Sequence, residues 1–445
     1  DVEALIASGA DVNMLDMYGF TPLIESAIAN RLDIADLLLK NGADVKQKDM
    51  VGGTALQWAV ENYNLSMCYM FLKQGADPNA YTRFAQPILV QPLLRRQHDL
   101  KEMLYKAGAD LKFAQDYINA KLLGHRFELT GRVDIVDHRN TFIEMDFAGF
   151  ILEFTVSVIQ DSLVYFRNNF SSRNLQSQFS ALQVIIDAFE IAAEMLTYQQ
   201  HLINIDNYQG KLNFFAEQSN LLLPVGCEGH AISFIKSGGL FAKCDRGENS
   251  LTHPSVTIYK IGNTYAFNAI FLKHLLYTVQ TKEFLSEGIM HALNLQPIID
   301  LPMPSQIMGN CSWANVEAAI PTFFLMQWIN QNPVHVLGNM QSYQQAAMKI
   351  YHQWLNWDKD WALHQCIESF YDADPARKAS KAAILAAVLF QTCRYTTSQD
   401  LDRSNKILSV LAAPKYAYVL ESYLAVYGNT PVGKNLAELI DLYGR

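Results

Sequence analysis

The sequence predicts a multidomain chain: an α-solenoid over residues 1–118, an α+β domain over 119–330 and a helical region over 331–445. Three observations predict it. The triplet Gly-Ala-Asp recurs at Gly9, Gly42, Gly75 and Gly108, a fixed step of 33 residues, and self-similarity at such a period marks stacked repeats. After Phe113 the period fades, and β-rich or alternating runs such as 127–137 and 141–156 replace it. From Asn315 onward the pattern turns helical, with Tyr351, Trp354, Trp357 and Trp361 at the spacing of a buried helix face and a further helix over Arg377–Arg394.

Within the solenoid each unit reads as helix, helix, glycine cap and extended loop. Leu5, Leu38, Phe71 and Leu104 keep the period before the cap, and Asp11, Asp44, Asp77 and Asp110 keep it after. A helix that ends in a left-handed residue favours one without a Cβ, which is why glycine holds the cap. In Gly19-Phe20-Thr21-Pro22-Leu23, Thr21 is placed to cap the next helix and Pro22 suits its first turn. Gly53-Thr54-Ala55-Leu56 repeats this pattern, whereas Gln86-Pro87-Ile88-Leu89 is degenerate and Pro92 interrupts the expected helix. These units resemble the ankyrin repeat, with Ile24 and Gln57 where that family carries histidine. The resemblance implies a protein-binding surface of hairpin tips and concave helices. The tip 79–86 offers Tyr81, Arg83 and Phe84 as binding residues, since Tyr and Arg are enriched at interface hot spots.

Composition narrows the function. The chain has 445 residues, 18% of them charged, and a net charge of −9, with no long Lys/Arg run. A nucleic-acid groove is not expected from that balance. Apolar stretches such as Ala383–Phe390 are far too short to span a bilayer, so no membrane span is expected. Six cysteines without a Cys-x-x-Cys pair suit free thiols better than a disulfide framework. The chain opens at Asp1 in mid-repeat and is expected to be a piece of a longer protein.

A helix is expected around Gln183–Gln200. Beyond it, two apolar runs flank Gly238-Gly239, the sign of a two-residue hairpin. If Ser237 pairs with Leu240, His230 and Asp245 share one face as diagonal neighbours, roughly 7 to 8 Å apart at the backbone and within reach of an imidazole–carboxylate hydrogen bond. Cys244 then points to the other face with Ala231 and Ser233. Further on, Gln306 precedes a Gly309-Asn310 turn that runs into Cys311-Ser312-Trp313, placing a thiol at a helix start, where the backbone dipole favours the thiolate. Cys311 as nucleophile, His230 as general base, Asp245 as its orienter and Gln306 as oxyanion donor make the set that thiol hydrolysis requires. Zinc on Cys227, His230 and Cys244 does not fit the hairpin, and no metal or cofactor is expected.

The order His, Asp, Gln, Cys resembles the adenain and ubiquitin-like-protein peptidase clan, while papain-like enzymes place Cys first. Ala231 stands where clan members often carry an aromatic residue and Asn310 where many carry Asp, which leaves the substrate class open. The repeats together with GHAISFIKSGGLFAKCDRG and QIMGNCSW resemble the secreted ankyrin effectors of Legionella. That resemblance implies delivery into a host cell by a type IV system, action in the host cytosol or nucleus, and a host protein as partner. Three functions remain open: a cysteine peptidase or isopeptidase, a non-catalytic adaptor that keeps the fold for binding, and an acyltransferase using the same residues.

Overall fold

The computed structural model describes residues 2–200, 202–227, 229–247, 254–307 and 309–443. The chain divides into two compact units. One comprises Asp1–Gly124, Gly131–Phe147 and Leu363–Arg445, and the other comprises His125–Thr130 and Ala148–Ala362.

In the first unit the repeats form helix pairs: Pro22–Ile28 with Leu32–Lys40, Ala55–Glu61 with Leu65–Lys73, and Val90–Leu94 with His98–Lys106. Thr21 and Thr54 cap their helices by accepting from the backbone N–H groups of Ile24 and Gln57. The four repeat glycines have φ between 84° and 101°, which a Cβ would strain. The third pair opens with only five helical residues around the buried Pro92, because proline lacks the N–H that a longer helix would use. Asn13 and Asn79 clamp neighbouring repeats: each amide donates to the carbonyl of the next cap glycine and accepts from the aspartate N–H two residues beyond it. Lys46 holds the equivalent position in the intervening repeat.

The same unit contains a two-stranded sheet, β1 (Arg132–Val136) and β2 (Phe142–Asp146), and the helices Pro375–Thr392, Ser398–Leu411, Ala417–Tyr427 and Pro431–Tyr443. The buried Arg377 bonds Asp110 at 2.9 Å and also Asp116, and Lys381 reaches Asp116 at 2.6 Å. These bonds tie the end of the repeat array to a helix 261 residues further along the chain.

The second unit is built on a five-stranded antiparallel sheet, β3 (Asn220–Cys227), β4 (His230–Ser237), β5 (Leu240–Cys244), β6 (Val256–Ile261) and β7 (Leu295–Asp300), in sequential order. Ser237 lies opposite Leu240 across the Gly238-Gly239 turn, and Gly238 has φ +57°. Helices Cys311–Glu317 and Ala319–Gln331 pack on one face of the sheet. The helical segment from Phe284 to Leu293 covers part of the other.

The β-rich reading of 141–156 holds only for Phe142–Asp146. Leu152–Asn168 is a helix, because buried Phe154, Ile159, Leu163 and Phe166 continue at helical spacing beyond the window in which the pattern looked extended. The boundary read at 330/331 coincides with the end of helix Ala319–Gln331, whereas the division by packing falls between Ala362 and Leu363, inside helix Met340–Tyr371. Among the described residues, no helix is long and apolar enough to cross a membrane.

Candidate active site

Cys311 is the first residue of its helix, reached through a tight turn. Gly309 has φ +86°, and a Cβ there would come within 2.5 Å of Ala148 Cβ, so glycine alone fits the approach. Asn310 is buried, and its Oδ1 lies 2.5 Å from Nδ1 of His125, whose ring stacks on Trp313. The start of the Cys311 helix is therefore fixed from behind.

His230 begins β4 at the edge where it faces Cys227 of β3, and Asp245 follows the last residue of β5. His230 Nε2 lies 2.9 Å from Asp245 Oδ1, so the hairpin register delivers the pair that its parity requires. The Gly247 N–H also donates to Asp245 Oδ1, and a Cβ on Gly247 would sit 3.0 Å from His230 Cε1, so a side chain at this position would crowd the pair. The same ring also acts on the Cys311 thiol. Cys244 points to the opposite face, 3.7 Å from Thr322 Oγ1, and burial pushes its thiol up to about 12.

The electrostatics follow from these contacts. The hydrogen bond to Asp245 raises His230 to about 9, helped by the bond to Cys311 and opposed by burial. Burial pushes the Cys311 thiol up, but the His230 bond and the backbone N–H groups of Ala231 and Ser312 outweigh it and hold the thiol below its ordinary value. Burial likewise raises Asp245, and the His230 bond, Lys243 and the Gly247 N–H bring it below the usual carboxylate range. The arrangement favours a thiolate–imidazolium pair over its neutral form.

A raised histidine stabilises the fold fully below the unfolded value near 6.5, and that contribution is lost as the pH rises through about 9. The His230 ring is expected to titrate near 9 by NMR of its C–H groups, and Asp245→Asn should bring the midpoint down towards the ordinary imidazole value. An unchanged midpoint in that variant would remove Asp245 as the principal cause.

The structure brings Cys311, His230 and Asp245 together. Gln306 is held nearby by its backbone N–H, which donates to the Arg246 carbonyl at 2.8 Å, and its side-chain Oε1 is buried without a hydrogen-bond partner among the described residues. No hydrogen bond joins Gln306 to Cys311 among the described residues. At the repeat tip, Phe84 is 53% exposed with the Arg83 guanidinium over its ring, whereas Tyr81 is half-buried edge-on against Phe113. Arg83 and Phe84 present the open surface, and Tyr81 braces the loop from within.

Asn315 and Arg246 are components that the sequence reading missed. Asn315, wholly buried one turn after Cys311, accepts from the Arg246 N–H at 2.7 Å and donates to the Ala231 carbonyl at 2.6 Å. One amide thereby joins the residue after His230 and the residue after Asp245 to the Cys311 helix. Arg246, also buried, bonds Glu317 at 2.7 Å and the carbonyls of Pro304 and Ala314. Only the Asn315 spacing, one turn after the cysteine, was a signal available beforehand.

A family model described as ankyrin repeats, in three copies, matches residues 1–82. No curated protein matches the chain. The solved structure of the Legionella effector AnkH is similar to all of this chain, with the match covering 95% of that one at 43% sequence identity and a TM-score of 0.84. With that identity along its whole length, and ankyrin repeats at its start, the chain belongs to the AnkH family of Legionella effectors.

Proposed function

We propose that this chain is a secreted effector that acts inside the host cell, in the cytosol or nucleus after type IV delivery, holding a host protein on its repeats and cleaving a thioester, peptide or isopeptide bond with Cys311. The carrying observation is the contact of His230 with the Asp245 carboxylate at 2.9 Å, which raises the ring, while the same ring holds the Cys311 thiol below its ordinary value. In this reading the thiolate attacks the acyl carbon, the His230 imidazolium gives its proton to the leaving group, and water, deprotonated by His230, releases the acyl-enzyme. Gln306 is assigned to the developing oxyanion on its position beside Arg246.

Mass spectrometry after exposure to ubiquitin-like activity probes and to acyl-CoA tests the reading. A probe adduct on Cys311, absent in Cys311→Ser, supports hydrolysis. An acyl adduct on the same thiol points to transfer, and neither adduct leaves the fold as a binding surface.

The repeat tip has its own test. Arg83→Ala with Phe84→Ala should weaken capture of host partners by roughly tenfold or more, the size of a hot-spot loss, with unchanged thermal unfolding because both side chains are exposed. Undiminished capture would clear the tip of that role. Tyr81 is left in place because its contact with Phe113 belongs to the core of the array.

A further inference from the structure

Behind Asp245, on the sheet face away from Cys244, lies a cavity of about 290 Å³. Its walls are mixed but more apolar than polar: Phe234 and Phe241 come from β4 and β5 and Leu285, Ile289 and Met290 from the helical segment above them, with Thr257, Tyr259 and Ser286 adding hydroxyls. The cavity is open to solvent along part of its length, so a small molecule can enter it without a rearrangement of the sheet.

One end of the cavity is charged. Lys243 and Asp245 line it together, but their contact is 3.5 Å, longer than the roughly 2.7 to 2.9 Å of a strong charge-assisted bond. Asp245 Oδ1 is already engaged by His230 and by the Gly247 N–H. An ammonium has three donors, and among the described residues Lys243 has no other anionic partner. The cavity thus combines a mainly apolar body with a single under-used cation at its end. A monoanion suits that end better than a phosphate dianion, because Asp245 stands beside it.

We propose that this cavity is a binding site for a small amphipathic carboxylate, with its apolar chain between the sheet and the segment Phe284–Leu293 and its carboxylate on Lys243. Binding draws Lys243 away from Asp245. The site does not depend on thiol chemistry, so it is tested with Cys311→Ser protein, in which no reaction at the sulfur interferes.

Calorimetric titration at pH 7 with octanoate and its neutral counterpart octanamide provides the test. Octanoate should bind saturably at one site, at least tenfold more tightly than octanamide. Lys243→Met should reduce octanoate affinity at least tenfold, to the level of octanamide, while Lys243→Arg retains most of it. Ile289→Trp, which fills the cavity, should abolish binding of both probes, with circular dichroism showing the fold intact. Absence of saturable octanoate binding, equal affinity for the two probes, or octanoate binding indifferent to Lys243→Met would each overturn the proposal.

Discussion

At pH 6, iodoacetamide is expected to label Cys311 ahead of the other five cysteines, and His230→Ala to slow that reaction by one to two orders of magnitude. A free thiol with a pKa near 8.5 is only roughly 0.3% ionised at pH 6, and the thiolate is the reactive form. Burial pushes Cys68 and Cys244 up to about 12 and Cys366 up to about 11, so none of these competes. Cys311 is half-buried and would follow them but for the His230 bond, which is the largest of the influences lowering it. Without the imidazole, desolvation dominates and the thiolate fraction falls. Asp245→Ala should have a smaller effect, because it acts on the ring and does not touch the sulfur. Cys244→Ser should leave the Cys311 rate alone. Peptide mapping that finds Cys311 no faster than Cys244 and indifferent to His230 would end the thiol-chemistry reading and leave an adaptor.

The largest stability effect is expected at Arg246. Its side chain and that of Glu317 are each 4% exposed, paired at 2.7 Å, and the Tyr351 hydroxyl donates to the same carboxylate oxygen. Arg246→Met removes one partner and strands the other, which costs about 3 to 5 kcal/mol for a buried pair. Urea unfolding should show this as a lower midpoint. Adding Glu317→Gln should recover part of the loss, because a neutral amide needs no counter-charge. The pH dependence has a defined sign. Burial already raises Glu317, and a carboxyl raised in the folded state favours the fold at low pH and loses that advantage as the pH rises through its folded value. The deficit of Arg246→Met should therefore shrink on acidification. A cost below about 1 kcal/mol would show that the pair is solvated after all.

The repeats were legible because their signals are local. A 33-residue period, a glycine at φ near +90° and a threonine cap each depend on a few neighbouring residues. The hairpin was legible for the same reason, since a two-residue turn fixes the register and the register fixes which side chains share a face. The placement of Cys311 at a helix start followed from the Gly309-Asn310 turn. The helix from Leu152 was misread because its first residues also satisfy an extended pattern, and only positions beyond the window decide between them. Asn315, His125 and the Arg246–Glu317 pair were invisible because their meaning lies in partners 69 to 185 residues away. The asparagine clamps at Asn13 and Asn79 kept the repeat spacing yet went unread, since a lysine in the unit between them broke the series.

The composition of the first unit bears on how the protein is made. That unit draws on residues up to 124 and then on residues from 363 onward, whereas the 148–362 segment of the second lies between them in the chain. During synthesis domains fold as their sequence emerges. The sheet and the Cys311 helix can therefore close while the tail is still in the ribosome, but Asp110 and Asp116 at the end of the repeat array must wait for Arg377 and Lys381. A nascent chain stalled once Ala362 has left the ribosome but before Arg377 has would be expected to carry a finished second unit and an unfinished first one, so that the order of completion reverses the order of translation.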